Sequence, residues 1–378
     1  MIVLRLFIIS LIAFFFEMPT TIAQDQSRQA PQPQSARPAG GIGTIGIVAG
    51  DIDSTGLRIA SDIARGLDSG GEFRILPIIG RGSIQNINDL LTLKAVDIAI
   101  VQADVIARFL KSNRQPAVQS RLQYVAKLHS EELHILSRMQ FMCLQDLSGR
   151  RVSFGPKDSG MAITAEAVFE ANKISVEPLY LDHEEAIQRL KRGELDALVY
   201  VGGKPSRGFA GITHKDRVHF LDVEYLPQLQ ASYLPAIITS EDYPDLVAPN
   251  ESVATISVSS VMVIHNWPAQ SERYRVMSRF VERFLAAADK FKNGSYSPKW
   301  REVNINAPLK GWQRFQPAEE WLAANAQPKV RPATAQAAQQ LKIMLQNFVE
   351  SQRGSTADQE ELFNQFVRWY QQQSAQRQ

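Results

Sequence analysis

Residues 75–105 constrain the fold more than any other part of the chain, because their pattern is that of a β–α–β unit. Residues 75–79 and 98–101 are apolar runs of strand length. Between them lies a helical pattern whose apolar residues share one face: Ile84, Ile87, Leu90 and Leu91. A strand, a short loop, a helix and a second strand are therefore expected, with the two strands parallel.

A glycine-rich loop, residues 80–83, opens the predicted helix. Ser83 is a favoured N-cap residue, and the glycines allow backbone N–H groups to face outward. Because the first turn of a helix has unpaired donors and partial positive charge, an anion would fit there.

Two further segments repeat this arrangement. A strand at 45–48 runs into a loop with Ser54 and Thr55 before a helix, and a strand at 151–154 runs into a loop that ends at Ser159. Each loop brings a helix start to the end of a strand. Alternating units of this kind predict mostly parallel α/β sheets with ligand groups collected at strand ends.

The two halves of the chain resemble each other. Residues 87–102 and 186–200 both read as a helix, a short turn, an apolar residue, an Asp and an apolar strand. Asp97 and Asp196 are expected to fix these turns and not to touch a ligand. The repetition indicates two α/β lobes with a cleft between them.

Several of these motifs, in this order, resemble the TAXI family of TRAP transporter solute-binding subunits. The residues that carry the resemblance are Gly82, Ser83, Asn86, Asp97, Ala99, Gln102 and Asp104, with residues 131–138, 146–152, 159–160, 193–197, 202–205 and 243–244. The resemblance implies an α/β, two-lobe periplasmic binding protein type II fold with a C-terminal helical extension. It implies lobe 1 at 42–138 plus 251–300, lobe 2 at 139–250 and an extension at 301–378.

The resemblance also implies a function: an extracytoplasmic receptor that captures a small organic anion of the carboxylate or amino acid type. A TRAP membrane permease would be its partner, and a monomer is expected. The chain departs from the family pattern at residues 51–55, at Arg81 and at Met161, all in loops where ligand contacts are expected. Ligand identity is therefore not implied.

The predicted ligand-binding residues come from the three loops, the strand end after residue 101 and nearby cations. They are Ser54, Thr55, Arg81, Gly82, Ser83, Asn86, Gln102, Lys157, Ser159, Gly160 and Lys204. For Gln102 a buried role satisfied by backbone is an equal alternative. Arg81 and Lys157, taken singly, are more often solvated surface cations.

Residues 1–23 are expected to be a cleavable signal peptide, since an apolar core after Arg5 ends at Glu17 and is too short to span a bilayer. A polar leader rich in Pro, Gln and Ser follows at 24–41. This places the protein in the periplasm or another extracytoplasmic space. Cys143 is the single cysteine and forms no intramolecular disulfide.

Composition and motifs argue against several other functions. A net charge of +2 without basic blocks argues against a nucleic acid partner. His129 and His134 are spaced five apart with no third ligand nearby, so no metal is expected. The glycine pattern at 41–46 lies before and within a strand and does not indicate a dinucleotide cofactor. No catalytic motif was found, so no enzyme and no cofactor are expected.

The family resemblance fades after about residue 290. Residues 333–352 and 356–370 read as two amphipathic helices that form a hairpin. Packing of the hairpin on its own lobe and docking to a partner are both open. In the second case the chain would be a periplasmic sensor that signals through the hairpin, which is the alternative to transport.

Overall fold

The protein is described from a computed structural model in which residues 43–68, 71–112 and 120–325 are defined. The predicted signal peptide, the leader and the C-terminal hairpin lie outside these residues. The sensor alternative depends on the hairpin, so its docking surface also lies outside the described part. Within the described part, none of the helices has the length and apolar character needed to cross a membrane.

Ten strands form one continuous, mixed sheet. They are β1 Gly43–Val48, β2 Phe73–Ile78, β3 Ile98–Gln102, β4 Leu122–Arg138, β5 Arg151–Ser153, β6 Glu177–Leu179, β7 Ala197–Gly202, β8 Val218–Phe220, β9 Leu234–Thr239 and β10 Ser252–His265. Their order is β2-β1-β3-β10-β4-β7-β5-β6, with β8 beside β4 and β9 beside β10.

Eight α-helices occur in the described ranges. They are α1 Thr55–Leu67, α2 Ser83–Thr92, α3 Ala103–Ser112, α4 Gly160–Ala171, α5 His183–Lys191, α6 Glu272–Ala286, α7 Ala288–Asn293 and α8 Gln316–Ala324. The parallel strands β2, β1 and β3 form one end of the sheet, and β7, β5 and β6, also parallel, form the other.

Two long strands, β4 and β10, connect the two ends. The second half of β10 pairs antiparallel with β3, whereas the first half pairs with β9, and β4 pairs with β10 and then with β7. Their register shifts between Ser259 and Val261, so Ser260 lies at a β-bulge near the middle of the sheet. The predicted α/β fold with two lobes is confirmed.

Each lobe has its own apolar core on both faces of the sheet. In the first lobe α6 buries Phe280 and Phe284 against β1 and β2, and Trp300 and Phe315 pack into the same cluster. In the second lobe, Val168 and Phe169 of α4 pack on β5 and β7. Apart from Ile163 of α4, which packs with first-lobe residues, the buried clusters of the two lobes are separate, so each lobe can keep its shape if the cleft opens.

One local prediction was wrong. Gly82, at φ 132°, takes the N-cap position of α2, and Ser83 is the first helical residue. Asp182 caps α5 without a side-chain hydrogen bond. β4 is a single strand of 17 residues, because it continues from one lobe into the other.

Asp97 and Asp196 hold equivalent places in the two lobes. Asp97 Oδ2 accepts the Gly46 N–H at 3.0 Å, and Asp196 Oδ2 accepts the Arg151 N–H at 3.0 Å. In each lobe the carboxylate thus joins the turn before one strand to the adjacent parallel strand, the structural role predicted from the sequence.

Candidate functional site

Three helix starts from the two lobes line one cavity of about 600 Å³. The starts of α1 and α2 come from the first lobe and the start of α4 comes from the second. Ten of the predicted residues line the cavity: Ser54, Thr55, Arg81, Gly82, Ser83, Asn86, Gln102, Lys157, Ser159 and Gly160.

Local hydrogen bonds fix the three helix starts. Ser54 Oγ accepts the Leu57 N–H at 3.1 Å, and Ser159 Oγ accepts the Ala162 N–H at 3.2 Å, so both residues are N-caps. Ser83 Oγ accepts the Gln102 N–H at 3.1 Å and ties α2 to the end of β3. These contacts set the direction of the free N–H groups of each first turn.

Lys204 is the one predicted residue that does not line the cavity. Its Nζ lies 2.8 Å from Asp242 Oδ2 and donates to the Ile237 carbonyl at 2.7 Å. With its charge paired there, Lys204 is not positioned as a countercharge for a ligand.

The two lobes touch at the cavity, which shows that this conformation is closed. A Cβ added at Gly82 would lie 3.1 Å from the Ser159 Cα, across the cleft. A Cβ added at Gly160 would lie 1.4 Å from Gln102 Oε1, so the Gln102 side chain lies directly over the start of α4. Only glycine allows this approach.

A second set of contacts joins α3 of the first lobe to the second lobe. Asp104 Oδ2 accepts hydrogen bonds from Thr164 Oγ1 at 2.7 Å and from Tyr233 OH at 2.8 Å. Arg108 and Glu166 form an ion pair at 2.7 Å close by. Burial of Asp104 raises the pKa of its carboxyl, and the two hydroxyls oppose that rise.

Buried polar side chains form the floor of the cavity, where β3, β10 and β4 meet. Gln102 Nε2 donates to Glu131 Oε2 at 2.7 Å. Asn86 Nδ2 donates to the Ala49 carbonyl at 2.7 Å, and Ser260 comes from the bulge in β10. Gln102 is thus held by another side chain and not by backbone alone.

Sequence reasoning missed the carboxylates of the cavity. Besides Glu131, four acidic residues line it: Asp51, Asp53, Asp182 and Glu184. Asp51 and Asp53 lie in a loop that departs from the family pattern, and Asp182 and Glu184 flank a helix start. For these four residues the sequence therefore offered a signal that they lie near the cleft. Glu131 begins the segment 131–138 that carries the family resemblance, but nothing in the pattern of β4 marks where the strand passes the cleft.

His183 and Tyr200 form the wall on the second lobe. Burial lowers the pKa of His183, so its imidazole is neutral at pH 7, and Nε2 lies 3.0 Å from the Gly208 carbonyl. Burial raises the pKa of Tyr200 to about 12, so its hydroxyl keeps its proton. Both side chains are therefore uncharged.

Arg81 and Lys157 are exposed at the rim, and neither pairs with a carboxylate of the described residues. Among those residues no group of three His, Cys, Asp or Glu side chains is arranged to hold a metal ion. His129 and His134 are both fully buried in β4.

Residues 54–292, well over half of the chain, match the model of the NMT1-like family. The chain belongs to the NMT1-like family. The matched region includes all three helix starts of the cavity, from Ser54 onward, and both connecting strands.

Several solved structures are also similar to this NMT1-like protein. The Escherichia coli periplasmic aliphatic sulphonate binding protein is 14% identical, with 81% of this chain and 88% of that chain covered and a TM-score of 0.41. The arginine-bound, truncated arginine-binding protein of T. maritima is 13% identical, with coverages of 64% and 95% and a TM-score of 0.37. The Synechocystis PCC6803 regulatory domain of CcmR, in complex with 2-PG, is 12% identical, with coverages of 63% and 95% and a TM-score of 0.38. At these identities and TM-scores the likenesses bear on neither the ligand nor the partner of this chain.

Proposed function

We propose that this protein is an extracytoplasmic solute receptor, which captures a small solute of the carboxylate or amino acid type in the cavity between its lobes. The observation that carries the proposal is the convergence of three helix starts, from both lobes, on one cavity of about 600 Å³. A carboxylate placed there would meet backbone N–H donors and the positive ends of three helices.

The expected energies are sufficient for useful affinity. One helix start contributes about 0.3–1 kcal/mol to an anion, and a hydrogen bond to a charged group nets about 1.5–3 kcal/mol. A micromolar ligand requires about 8 kcal/mol in total. Two or three charge-assisted hydrogen bonds, the helix starts and contacts with the wall supply that amount, and Arg81 and Lys157 add positive charge at the rim.

Closure of the lobes would hold the solute. The contacts of Gly82 with Ser159 and of Gln102 with Gly160 join opposite lobes, and both pairs line the cavity. We expect β4 and β10 to act as the hinge, because both run between the lobes. A solute that touches both lobes stabilises the closed state over the open one.

We further propose that the receptor delivers its solute to a TRAP membrane permease. This part rests on the sequence resemblance to the TAXI family at residues 75–105 and the motifs that follow it. The cavity itself favours no particular permease. Co-purification of the chain with the permease subunits, dependent on added solute, would test this partner.

Binding is tested by thermal shift and calorimetry with a library of small carboxylates and amino acids. At least one member should stabilise the protein, and Lys157→Met should weaken its binding about tenfold or less, since a rim cation contributes modestly. Lys215→Met, an exposed cation of the same lobe outside the cavity, is the matched control. If no small solute stabilises the chain, the receptor role is wrong.

A further inference from the structure

Acidic side chains outnumber basic ones around the cavity. Its lining has five carboxylates and two cationic groups, the latter being Arg81 and Lys157 at the exposed rim. His183 is neutral and offsets none of the negative charge. A solute of net negative charge would therefore enter a negative cavity, which costs free energy unless a cation compensates it.

Glu131, at the floor, is the carboxylate that most needs a countercharge. Its side chain is 13% exposed, and no Lys or Arg of the described residues lies within ion-pair distance. Its neighbours are the Gln102 amide, 2.7 Å away, and Nε2 of the buried His129, 3.4 Å away. A charged group so enclosed is stabilised by a close positive charge.

Buried hydrogen-bond acceptors without a partner lie beside the same floor. The Gln102 amide nitrogen faces the Glu131 carboxylate and the Asn86 amide nitrogen faces two carbonyls, which fixes the orientation of both amides. Gln102 Oε1 and Asn86 Oδ1 are left without a donor in the described structure, as is Ser260 Oγ. All three residues line the cavity and are at least 95% buried.

We infer that the solute of this receptor carries a net positive charge, with an ammonium or guanidinium group on the floor formed by Glu131, Gln102 and Ser260. Such a group offers three to five N–H donors and no acceptor, which matches a floor of one carboxylate and free oxygens. A carboxylate at the other end of the solute would face the helix starts. This inference rests on the proposed receptor function and specifies the class of solute within it.

Pairs of probes with equal numbers of carbon atoms test the inference by calorimetry on the full chain. L-lysine is compared with L-norleucine, which has the same side chain without the ammonium, and 1,4-diaminobutane is compared with succinate. L-lysine should bind at least about 30-fold more tightly than L-norleucine, the effect expected for loss of a buried charge pair. 1,4-Diaminobutane should bind more tightly than succinate.

A variant locates the effect. Glu131→Gln keeps the shape and an acceptor for Gln102 but removes the charge, and it should abolish most of the preference for L-lysine over L-norleucine. Glu72→Gln is the control, since Glu72 pairs with Arg279 outside the cavity. The comparison of probes on the unaltered chain stands even if the Glu131 variant folds poorly.

Each outcome decides the matter. Equal or tighter binding of the neutral or anionic probe, or an unchanged preference in a folded Glu131→Gln variant, would overturn the inference and leave the receptor role standing. If no cationic solute binds while a neutral or anionic solute of the library does so, the cationic assignment is again wrong. If no small molecule binds at all, the receptor role falls with it.

Discussion

Replacing Gly160 by Ala should weaken solute binding while leaving the protein folded. The added Cβ would lie 1.4 Å from Gln102 Oε1 and 2.5 Å from its Cδ. The end of a flexible side chain can move away, so the backbone of α4 need not shift. Gln102 would then lose its 2.7 Å hydrogen bond to Glu131.

The size of the effect follows from that hydrogen bond. A hydrogen bond to a charged group nets about 1.5–3 kcal/mol, whereas Ala gains less than about 1 kcal/mol over Gly at a helix end. The clash exists only when the lobes are together, so its cost falls on the closed, ligand-bound state. Affinity should therefore drop roughly 10- to 100-fold.

Calorimetry with any solute that stabilises the wild-type protein measures this drop. Gly71→Ala serves as the control, because a Cβ there meets nothing within 4 Å. Thermal unfolding of the free Gly160→Ala variant should stay within a few degrees of wild type. Wild-type affinity in Gly160→Ala would refute the view that Gln102 and Gly160 meet in the binding-competent state.

Three further predictions concern stability. Gly82→Ala should lower the free energy of unfolding in urea by about 1–3 kcal/mol, because the backbone φ of Gly82 is 132° and the new Cβ would lie 3.1 Å from the Ser159 Cα. An unchanged urea midpoint would contradict this prediction. Lys299→Met should lower the free energy of unfolding by about 3–5 kcal/mol, since it leaves Glu132 buried without the ammonium 3.0 Å away. Adding Glu132→Gln should recover part of that loss. Equal stability of the single and double variants would count against a stabilising role of this ion pair. Burial lowers the pKa of His134 to about 3, so the unfolded chain takes up the proton first and stability falls as the pH drops from about 6.5 towards 3. Between pH 6.5 and 5 the loss of unfolding free energy from this group amounts to roughly 2 kcal/mol. A His134→Gln variant whose stability falls with pH as steeply as that of the wild type would disprove this prediction.

The helices and the parallel strands could be predicted because their signals are local. The apolar face of α2 and the continuous apolar runs of β1 and β3 follow from side-chain periodicity alone. The role of Asp97 in fixing the turn before β3 was also predicted correctly, because that signal is local too. Ser83 was assigned as an N-cap on residue type, but the left-handed backbone at Gly82 moves the cap one residue back and directs the Ser83 hydroxyl to Gln102.

The floor of the cavity could not be predicted, because it depends on pairing between distant strands. Glu131 and Ser260 are 129 positions apart and meet only because β4 and β10 run side by side with a bulge. In a single sequence, nothing about a polar residue in the middle of a strand indicates which distant residue it will lie beside. The helix starts have local signals in their loops and therefore predicted an anion, whereas the carboxylates of the cavity were not assigned.

Native mass spectrometry of the purified chain tests the central claim, that the cavity between the lobes is a solute site, most directly. The folded protein should retain a small molecule that dissociates on unfolding, and the Gly160→Ala variant should retain less of it than Gly71→Ala does. A chain that carries no adduct and is stabilised by no small carboxylate, amino acid or amine would contradict the claim.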